Sequence, residues 1–175
     1  GVIRGQMSYL EEHITQKKAI YERYKKGFEG LPVSMNPYDA ENSAPNNWLS
    51  CLIIDEDAMC KQVRGENEAL YTPEYGKSCP TEILETLAKY NAEGRPIWKP
   101  MHAQPIFRIH GFVTREGNGR GKSNAYIAGS FKGKDGRPLD VGIDIFQRGL
   151  CLPSDNKMTI EEQDKIIKII RACFE

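Results

Sequence analysis

The residues best suited to chemistry in this sequence lie at positions 95–107, which read RPIWKPMHAQPIF. Lys99 supplies an ammonium group that suits a phosphate or a carboxylate. His102 supplies an imidazole that can donate, accept or stack near neutral pH. Three prolines in the same segment hold φ at about −65° and push their preceding residues toward extended backbone. We therefore predict a stiff loop that presents Lys99 and His102 to a ligand, although either residue could instead be an ordinary exposed loop residue.

Two neighbours of this pair also carry groups that bind ligands. Arg95 could hold a phosphate through two parallel hydrogen bonds, and the alternative is a solvated surface arginine. Trp98 could stack on a base, whereas an indole in such a loop more commonly packs the loop onto its own domain. Arg95 and Trp98 are therefore further candidates for lining a cleft.

A second unusual stretch, residues 108–140, is strongly basic. Positions 108–139 hold seven basic and two acidic residues, although the whole chain has no net charge. Residues 117–123 read GNGRGKS and come close to a phosphate-binding P-loop, but that pattern requires glycine where Glu116 stands. Arg120 and Lys122 are predicted either to reach the diphosphate of a ligand or to belong to a flexible surface insertion.

The other polar groups give weaker signals. The five cysteines form no CxxC pair, so reduced thiols are expected, without a zinc site or a disulfide framework. Residues 55–57 are acidic, but no further ligand set with metal spacing accompanies them, and no metal is predicted. His13 and His110 stand alone and are expected to be structural. No serine or cysteine nucleophile with a base and an orienting partner is indicated.

A long helix is the first of the elements that must position these residues. Apolar and aromatic residues recur at steps of three and four from Met7 to Phe28, and charged residues fill the opposite side. The pattern predicts a helix over residues 5–29, ended by Gly27, Gly30 and Pro32. At about 20 residues and 30 Å it could bridge two domains. Packing on its own core and a coiled dimer seam are the alternatives.

The middle of the chain is predicted to hold a loop, a strand and a helix. Residues 31–47 are rich in proline, asparagine and serine and are expected to form a loop. Residues 48–54 have the apolar, β-branched content of a buried strand. A second helix should start at Pro80, capped by Ser78 or Thr81, and end at Gly94 directly before the 95–107 segment.

Three short elements are predicted at the end of the chain. Residues 141–148 should form an amphipathic helix closed by Gly149, followed by a buried strand at 150–152. Residues 159–162 read TIEE, a capping-box order that opens a last helix running to Phe174. Strands between helices, without repeats, predict a single α+β domain over residues 1–175.

Composition argues against several classes of partner. Equal numbers of basic and acidic residues, 24 of each, leave no net charge to attract nucleic acid or an acidic membrane surface. No apolar run approaches the roughly 20 residues that cross a bilayer, and the amino end lacks the order of a signal peptide, so a soluble cytoplasmic protein is expected. Because apolar periodicity is under way by Met7 and no initiator methionine is present, a piece of a longer protein is expected.

Four segments of the sequence, in order, resemble one known family. They are residues 5–7 (GQM), 47–51 (NWLSC), 95–107 and 148–154 (RGLCLPS). Together they are similar to the C-terminal region of the DegT-type (DegT/DnrJ/EryC/StrS-like) sugar aminotransferases. Members of that family are pyridoxal-phosphate enzymes that place an amino group on a keto sugar carried by a nucleotide. The basic stretch 108–139 looks longer than the typical member has there.

The resemblance implies a fold for this chain and different roles for two domains of the full-length enzyme. The chain would be the small C-terminal domain of a fold type I enzyme, a small sheet packed with helices and a long N-terminal helix connecting to a large domain absent from this sequence. The large domain would supply the lysine that holds pyridoxal 5′-phosphate. No catalytic residue, no bound cofactor and no activity are therefore expected in this chain alone.

The resemblance also implies partners. The full-length enzyme would be a homodimer that takes its amino group from glutamate and serves surface polysaccharide or glycan synthesis. The cleft-lining candidates of this chain would be Arg95, Trp98, Lys99, His102, Arg120 and Lys122. Two rival functions stay open: a non-catalytic module that binds a nucleotide sugar through residues 95–123, and a dimerisation domain that self-associates through the first helix.

Overall fold

A computed structural model describes residues 1–64, 69–107, 136 and 140–175 of the chain. The helices are α1 (Val2–Gln6), α2 (Leu10–Gly27), α3 (Pro80–Lys89), α4 (Val141–Arg148) and α5 (Ile160–Ala172). The strands are β1 (Val33–Met35), β2 (Cys51–Ile54), β3 (Gln62–Arg64), β4 (Ala69–Tyr71), β5 (Arg95–Pro96) and β6 (Gly149–Cys151). Short 3₁₀ turns cover Met7–Tyr9, Glu56–Ala58, Met101–Ala103 and Pro105–Phe107. The basic stretch 108–139 lies outside the described residues, except for Gly136. The predictions for His110, Arg120 and Lys122 fall in this stretch.

A small antiparallel sheet organises the fold. Its four strands lie in the order β1-β2-β6-β5, and β3 and β4 form a separate hairpin. Cys51 on β2 is paired with Cys151 on β6, and Cys151 is paired on its other side with Arg95 on β5. One row of the sheet therefore carries two thiols and a guanidinium side by side.

The hydrophobic core forms where one face of this sheet meets three helices. Alternate strand residues supply it, because successive side chains of a strand point to opposite faces. The strands contribute Leu52, Ile54 and Leu150, Leu152 follows directly after β6, and α2, α3 and α5 contribute Tyr24, Ile83, Leu87, Ile166 and Ile170. Each such side chain, once buried, contributes roughly 1.5–3 kcal/mol to the free energy of folding.

Helix α2 is fastened to the rest of the fold along its second half. The Tyr24 hydroxyl, fully buried, donates to the carbonyl of Pro153 at 2.8 Å. The Gln163 side chain on α5 donates to the carbonyl of Ile20 at 2.8 Å. Arg23 pairs with Asp164 at 2.7 Å. The first turns of α2 have no comparable burial, since Leu10 is 48% exposed.

The single helix predicted over residues 5–29 is corrected to Leu10–Gly27. Ahead of it, α1 and the Met7–Tyr9 turn are separate elements. Their apolar residues are exposed, so no packing holds this stretch in one continuous α-helix. Gly30 adopts a φ of +83° after the helix, as a terminating glycine does. Gly27 lies inside the helix, where an added Cβ would come within 2.6 Å of Ile167 on α5.

Other boundaries also differ from those predicted. The predicted loop 31–47 contains β1, which pairs with β2, and the strand predicted from residue 48 begins only at Cys51. The cap of α3 is neither Ser78 nor Thr81: the Cys79 sulfur accepts the Glu82 N–H, while Ser78 donates to the Glu82 carboxylate. The capping box of α5 is confirmed, with the Thr159 and Glu162 side chains each accepting the other residue's N–H.

The described ranges offer neither a membrane-spanning helix nor a cluster of metal ligands. No helix found there has the length and apolarity needed to span a bilayer. No group of three or more histidine, cysteine, aspartate or glutamate side chains there could hold a metal ion, and the acidic residues 55–57 therefore join no larger cluster in that part of the chain.

Candidate functional site

The 95–107 segment is more structured than the single loop predicted from its prolines. Its first two residues form the edge strand β5 against β6, and two 3₁₀ turns follow. Pro96 suits an edge strand because it has no N–H to donate to a further strand. The stiffness expected of the segment thus comes from pairing with the sheet as well as from proline.

Two glycines allow the segment to lie close to its neighbours. A Cβ on Gly149 would stand 2.9 Å from Ile97 and 2.6 Å from the carbonyl of Ile145. A Cβ on Gly142 would stand 3.3 Å from the ring of Pro100. The segment is therefore seated between the first residue of β6 and the first turn of α4.

His102 is held by a carboxylate at the start of α4. Its Nε2 lies 2.5 Å from Oδ2 of Asp140, and the two side chains are 18% and 15% exposed. The other oxygen of Asp140, Oδ1, accepts the backbone N–H of Ile143 at 3.0 Å and caps α4. A single carboxylate thus joins the imidazole to the end of a helix.

Lys99 lies between the edge strand and the first 3₁₀ turn and is half-buried. Its carbonyl accepts a hydrogen bond from Gln104 Nε2 at 3.3 Å, a bond that spans the Met101–Ala103 turn. Lys99 and His102 therefore belong to one locally braced unit that rests on α4.

Arg95 and Trp98 border a different feature, an open groove of about 1600 Å³ beside β5, β6 and α5. The rings of Trp98 and Trp48 lie there with centroids 6.1 Å apart, tilted by 35°, and both are more than 60% exposed. Arg95 pairs with Glu93 at 2.9 Å. Both side chains of that pair are mostly exposed, so the bond is weak and the guanidinium can exchange it for a ligand.

The six candidate residues are therefore not gathered at one site. Arg95 and Trp98 line the groove, whereas Lys99 and His102 are not among its lining residues. Arg120 and Lys122 lie outside the described residues. Trp98 does contact its own domain, through Trp48, but it keeps most of its surface exposed.

A pair of thiols lies under the groove. The sulfur atoms of Cys51 and Cys151 are 3.7 Å apart. A hydrogen bond from Cys51 and the charge of Arg95 lower the pKa of Cys151, against the opposing effect of its burial. The same bond, with burial, raises the pKa of Cys51. All five cysteines are free thiols.

Comparison with known proteins gives relatives both in sequence and in structure. No family model matches the chain. EpsN of Bacillus subtilis (strain 168), provisionally named as a pyridoxal phosphate-dependent aminotransferase, is 29% identical over 174 residues, which are 99% of this chain and 34% of that protein. The chain thus spans about a third of the length of this curated relative.

Several solved structures share the fold. DesI, determined in the presence of its TDP-sugar product, superposes with a TM-score of 0.63 at 15% identity, over 95% of this chain and 32% of DesI. A DegT DnrJ EryC1 StrS aminotransferase from Brucella abortus gives a TM-score of 0.57 at 15% identity, over 97% of this chain and 33% of its own.

The resemblance to the DegT-type sugar aminotransferases is confirmed. The fold class is confirmed with it: the chain is α+β, with a small sheet packed with helices and a long amino-terminal helix, and it matches about a third of each of these two structures.

Several residues of the candidate site could not be predicted from the sequence. Asp140, the partner of His102, stands directly before an amphipathic helix, and that position is a recognisable capping signal. Its bond to His102 could not be predicted because the two residues are 38 positions apart. Trp48 was assigned to a buried strand, and its contact with Trp98 depends on how two distant segments meet.

Proposed function

We propose that this chain is the C-terminal domain of a pyridoxal-phosphate-dependent aminotransferase that aminates a nucleotide-linked keto sugar. The amino donor would be glutamate, and the product would serve surface polysaccharide or glycan synthesis in the cytoplasm. The observation that carries the proposal is similarity to EpsN over nearly the whole chain, since EpsN is named as a pyridoxal phosphate-dependent aminotransferase. The shared fold with DesI, a structure that holds a TDP-sugar, supports the nucleotide-linked substrate.

The described residues do not fit pyridoxal phosphate by themselves. A lysine that forms a Schiff base with the cofactor is normally buried at the end of a closed cavity. Every lysine in the described ranges is exposed or half-buried. We therefore propose that a part of the enzyme outside this sequence supplies the cofactor lysine, and that this chain alone is inactive.

The proposed task of this chain is to bind and orient the sugar nucleotide. Lys99 offers a positive charge to the diphosphate, and His102 offers a ring nitrogen of defined orientation because Asp140 fixes the imidazole. Arg95 and Trp98, on the groove side, would contact a more distant part of the same ligand. Such positioning lowers the barrier by holding the substrate near its reacting geometry.

Lys99 gives the direct test. In the full-length enzyme, with glutamate and a TDP- or UDP-linked keto sugar as substrates, Lys99→Ala should raise KM for the sugar nucleotide about tenfold, the usual effect of one lost charged hydrogen bond. KM for glutamate should stay unchanged. Lys18→Ala, on the exposed side of α2, is the matched control. Absence of amino transfer to any keto sugar would refute the proposed reaction, and an unchanged KM in Lys99→Ala would remove Lys99 from the site.

The basic residues 108–140 enter the proposal as an insertion that reaches the diphosphate. Seven basic residues against three acidic ones, Asp140 included, give it the charge for this role. Replacing Arg120 and Lys122 together with alanine should weaken binding of the sugar nucleotide to the full-length enzyme, measured by calorimetry. Unchanged affinity would leave the insertion without a role in binding.

We further propose that the full-length enzyme is a homodimer in which α1, the Met7–Tyr9 turn and the first residue of α2 contact the partner subunit. Val2, Ile3, Met7, Tyr9 and Leu10 expose an apolar surface there. Leu10→Asp should shift the enzyme toward monomer in sedimentation velocity. Lys18→Asp, which also introduces an acidic side chain on α2, should leave the dimer intact. Equal dimerisation of both variants would place the dimer contact elsewhere.

A further inference from the structure

We propose that Asp140 is a positioning residue for His102, fixing the orientation and the tautomer of the imidazole and coupling it to the amino end of α4. The part that concerns the ligand rests on the proposed function. The part that concerns the ring rests on the geometry of the described residues alone.

Both oxygens of Asp140 are engaged, each by a different element. Oδ2 lies 2.5 Å from Nε2 of His102, and Oδ1 accepts the Ile143 N–H at 3.0 Å. An ionised carboxylate can only accept hydrogen bonds, so Nε2 must carry the proton. In a neutral imidazole the other nitrogen, Nδ1, is then an acceptor. The carboxylate thereby selects one of the two tautomers.

The surroundings leave little room for the pair to move. The side chains of His102 and Asp140 are each less than 20% exposed. Pro100, two residues ahead of His102, lies close enough to Gly142 on α4 that even a methyl group there would be crowded. The segment is therefore attached to α4 at two points, one apolar and one through the carboxylate.

This arrangement has a consequence for binding. A ring already held in one orientation loses little conformational freedom when a ligand arrives, so more of the interaction energy appears as affinity. Loss of Asp140 should weaken binding without removing any group that touches the ligand. This effect separates a positioning residue from a contact residue.

The substitution Asp140→Ser separates the two roles of the carboxylate, which are to cap α4 and to hold His102. Serine is as good a helix cap as aspartate, but its single short hydroxyl cannot serve α4 and His102 together. Asp140→Ser should therefore keep the cap of α4 while releasing the ring. Thr159→Ala removes the cap of a different helix, α5, and is the control for loss of a cap alone.

The first measurement is made on this 175-residue chain. Two-bond ¹H–¹⁵N correlation spectra of the imidazoles distinguish the tautomers, and comparison with His102→Gln assigns the His102 signals. The Nε2–H form should dominate in the native chain and in Thr159→Ala, and Asp140→Ser should give a mixture of both forms. A native chain in the Nδ1–H form, or an unchanged tautomer ratio in Asp140→Ser, would overturn the proposal.

The second measurement uses the full-length enzyme. Asp140→Ser should raise KM for the sugar nucleotide about tenfold, as expected for loss of one charged hydrogen bond, with kcat and KM for glutamate unchanged. An altered tautomer with an unchanged KM would refute the role of Asp140 in binding. If the enzyme aminates no keto sugar, the proposed function fails, while the spectra still decide whether Asp140 positions His102.

Discussion

Cys51 and Cys151 face each other across β2 and β6, with their sulfur atoms 3.7 Å apart. The N–H of Cys51 donates to the Asn36 side chain, and its carbonyl accepts the Asn36 N–H. Its backbone groups therefore point away from β6, which makes the two cysteines a pair not joined by backbone hydrogen bonds, the type with the closer side chains. Arg95 completes the row from β5.

Cys151 should be alkylated before Cys60 although both are almost fully buried. The Cys51 hydrogen bond and Arg95 lower the pKa of Cys151, whereas burial raises the pKa of Cys60 to about 12. The thiolate is the reactive form, so at mildly alkaline pH Cys151 has the larger reactive fraction. Iodoacetamide labelling over time, mapped by peptide mass, checks the order. Arg95→Gln should shift the pH dependence of Cys151 labelling upward, and no shift would remove Arg95 as a cause.

Gly27→Ala should destabilise the fold although alanine is the better helix former. The new methyl group would stand 2.6 Å from the Ile167 side chain. Crowding of a packed core costs about 1–3 kcal/mol, more than the roughly 1 kcal/mol gained in helix propensity. Gly5→Ala in α1, with nothing within 4 Å of the new Cβ, is the matched control and should be neutral or stabilising. The free energies of unfolding of both variants are measured in urea. Equal changes at the two sites would contradict the close approach of α2 and α5.

Asp144→Ala should cost far more stability than Glu93→Ala. Asp144 is buried and pairs with Arg148 at 2.6 Å, and Arg148 also donates to the carbonyl of Ile54 at 2.5 Å. Removing the carboxylate leaves a partly buried guanidinium without its counter-charge, a change that costs about 3 kcal/mol. The exposed Glu93–Arg95 pair contributes at most about 1 kcal/mol. Comparable losses of unfolding free energy in the two variants would show that burial does not distinguish these pairs.

Thr159→Ala should lower the free energy of unfolding by about 1 kcal/mol, because the capping box of α5 loses the hydroxyl that accepts the Glu162 N–H. For a chain of this size the melting temperature should fall by roughly 2–4 °C. Thr15→Ala, at an exposed position inside α2, is the control and should change stability by less than about 0.5 kcal/mol. Calorimetry on both variants is the measurement. Identical melting temperatures would mean that the cap contributes nothing.

Local signals in the sequence were enough to predict the longer elements. The helices α2, α4 and α5 could be predicted because the residues that favour them lie within one or two helical turns of each other. These signals are the apolar periodicity of α2, the amphipathic pattern of α4 and the capping order at Thr159. Strands β2 and β6 were also predicted, since their residues are apolar enough to be buried whatever their partner.

The elements that depend on distant partners were not predicted. β1 and β5 have three and two residues, and pairing with the sheet, not propensity, makes them strands. The contact partners of the candidate site residues could not be predicted either, because they too are distant in the sequence. The sequence indicated that His102 could bind a ligand. Its contact with Asp140, however, exists only because the 95–107 segment folds onto α4. Likewise the Cys51–Cys151 pair joins residues 100 positions apart.

The central claim is that this chain does not supply the lysine that holds the cofactor. The most direct test is a titration of the purified protein with pyridoxal phosphate. Borohydride reduction then traps any lysine adduct, and peptide mass analysis locates it. The proposed function predicts no site-specific adduct, because the lysines of the described ranges are exposed or half-buried and the cofactor lysine is proposed to belong to another part of the enzyme. Stoichiometric labelling of a single lysine, Lys99 above all, would contradict it and place the cofactor on this chain.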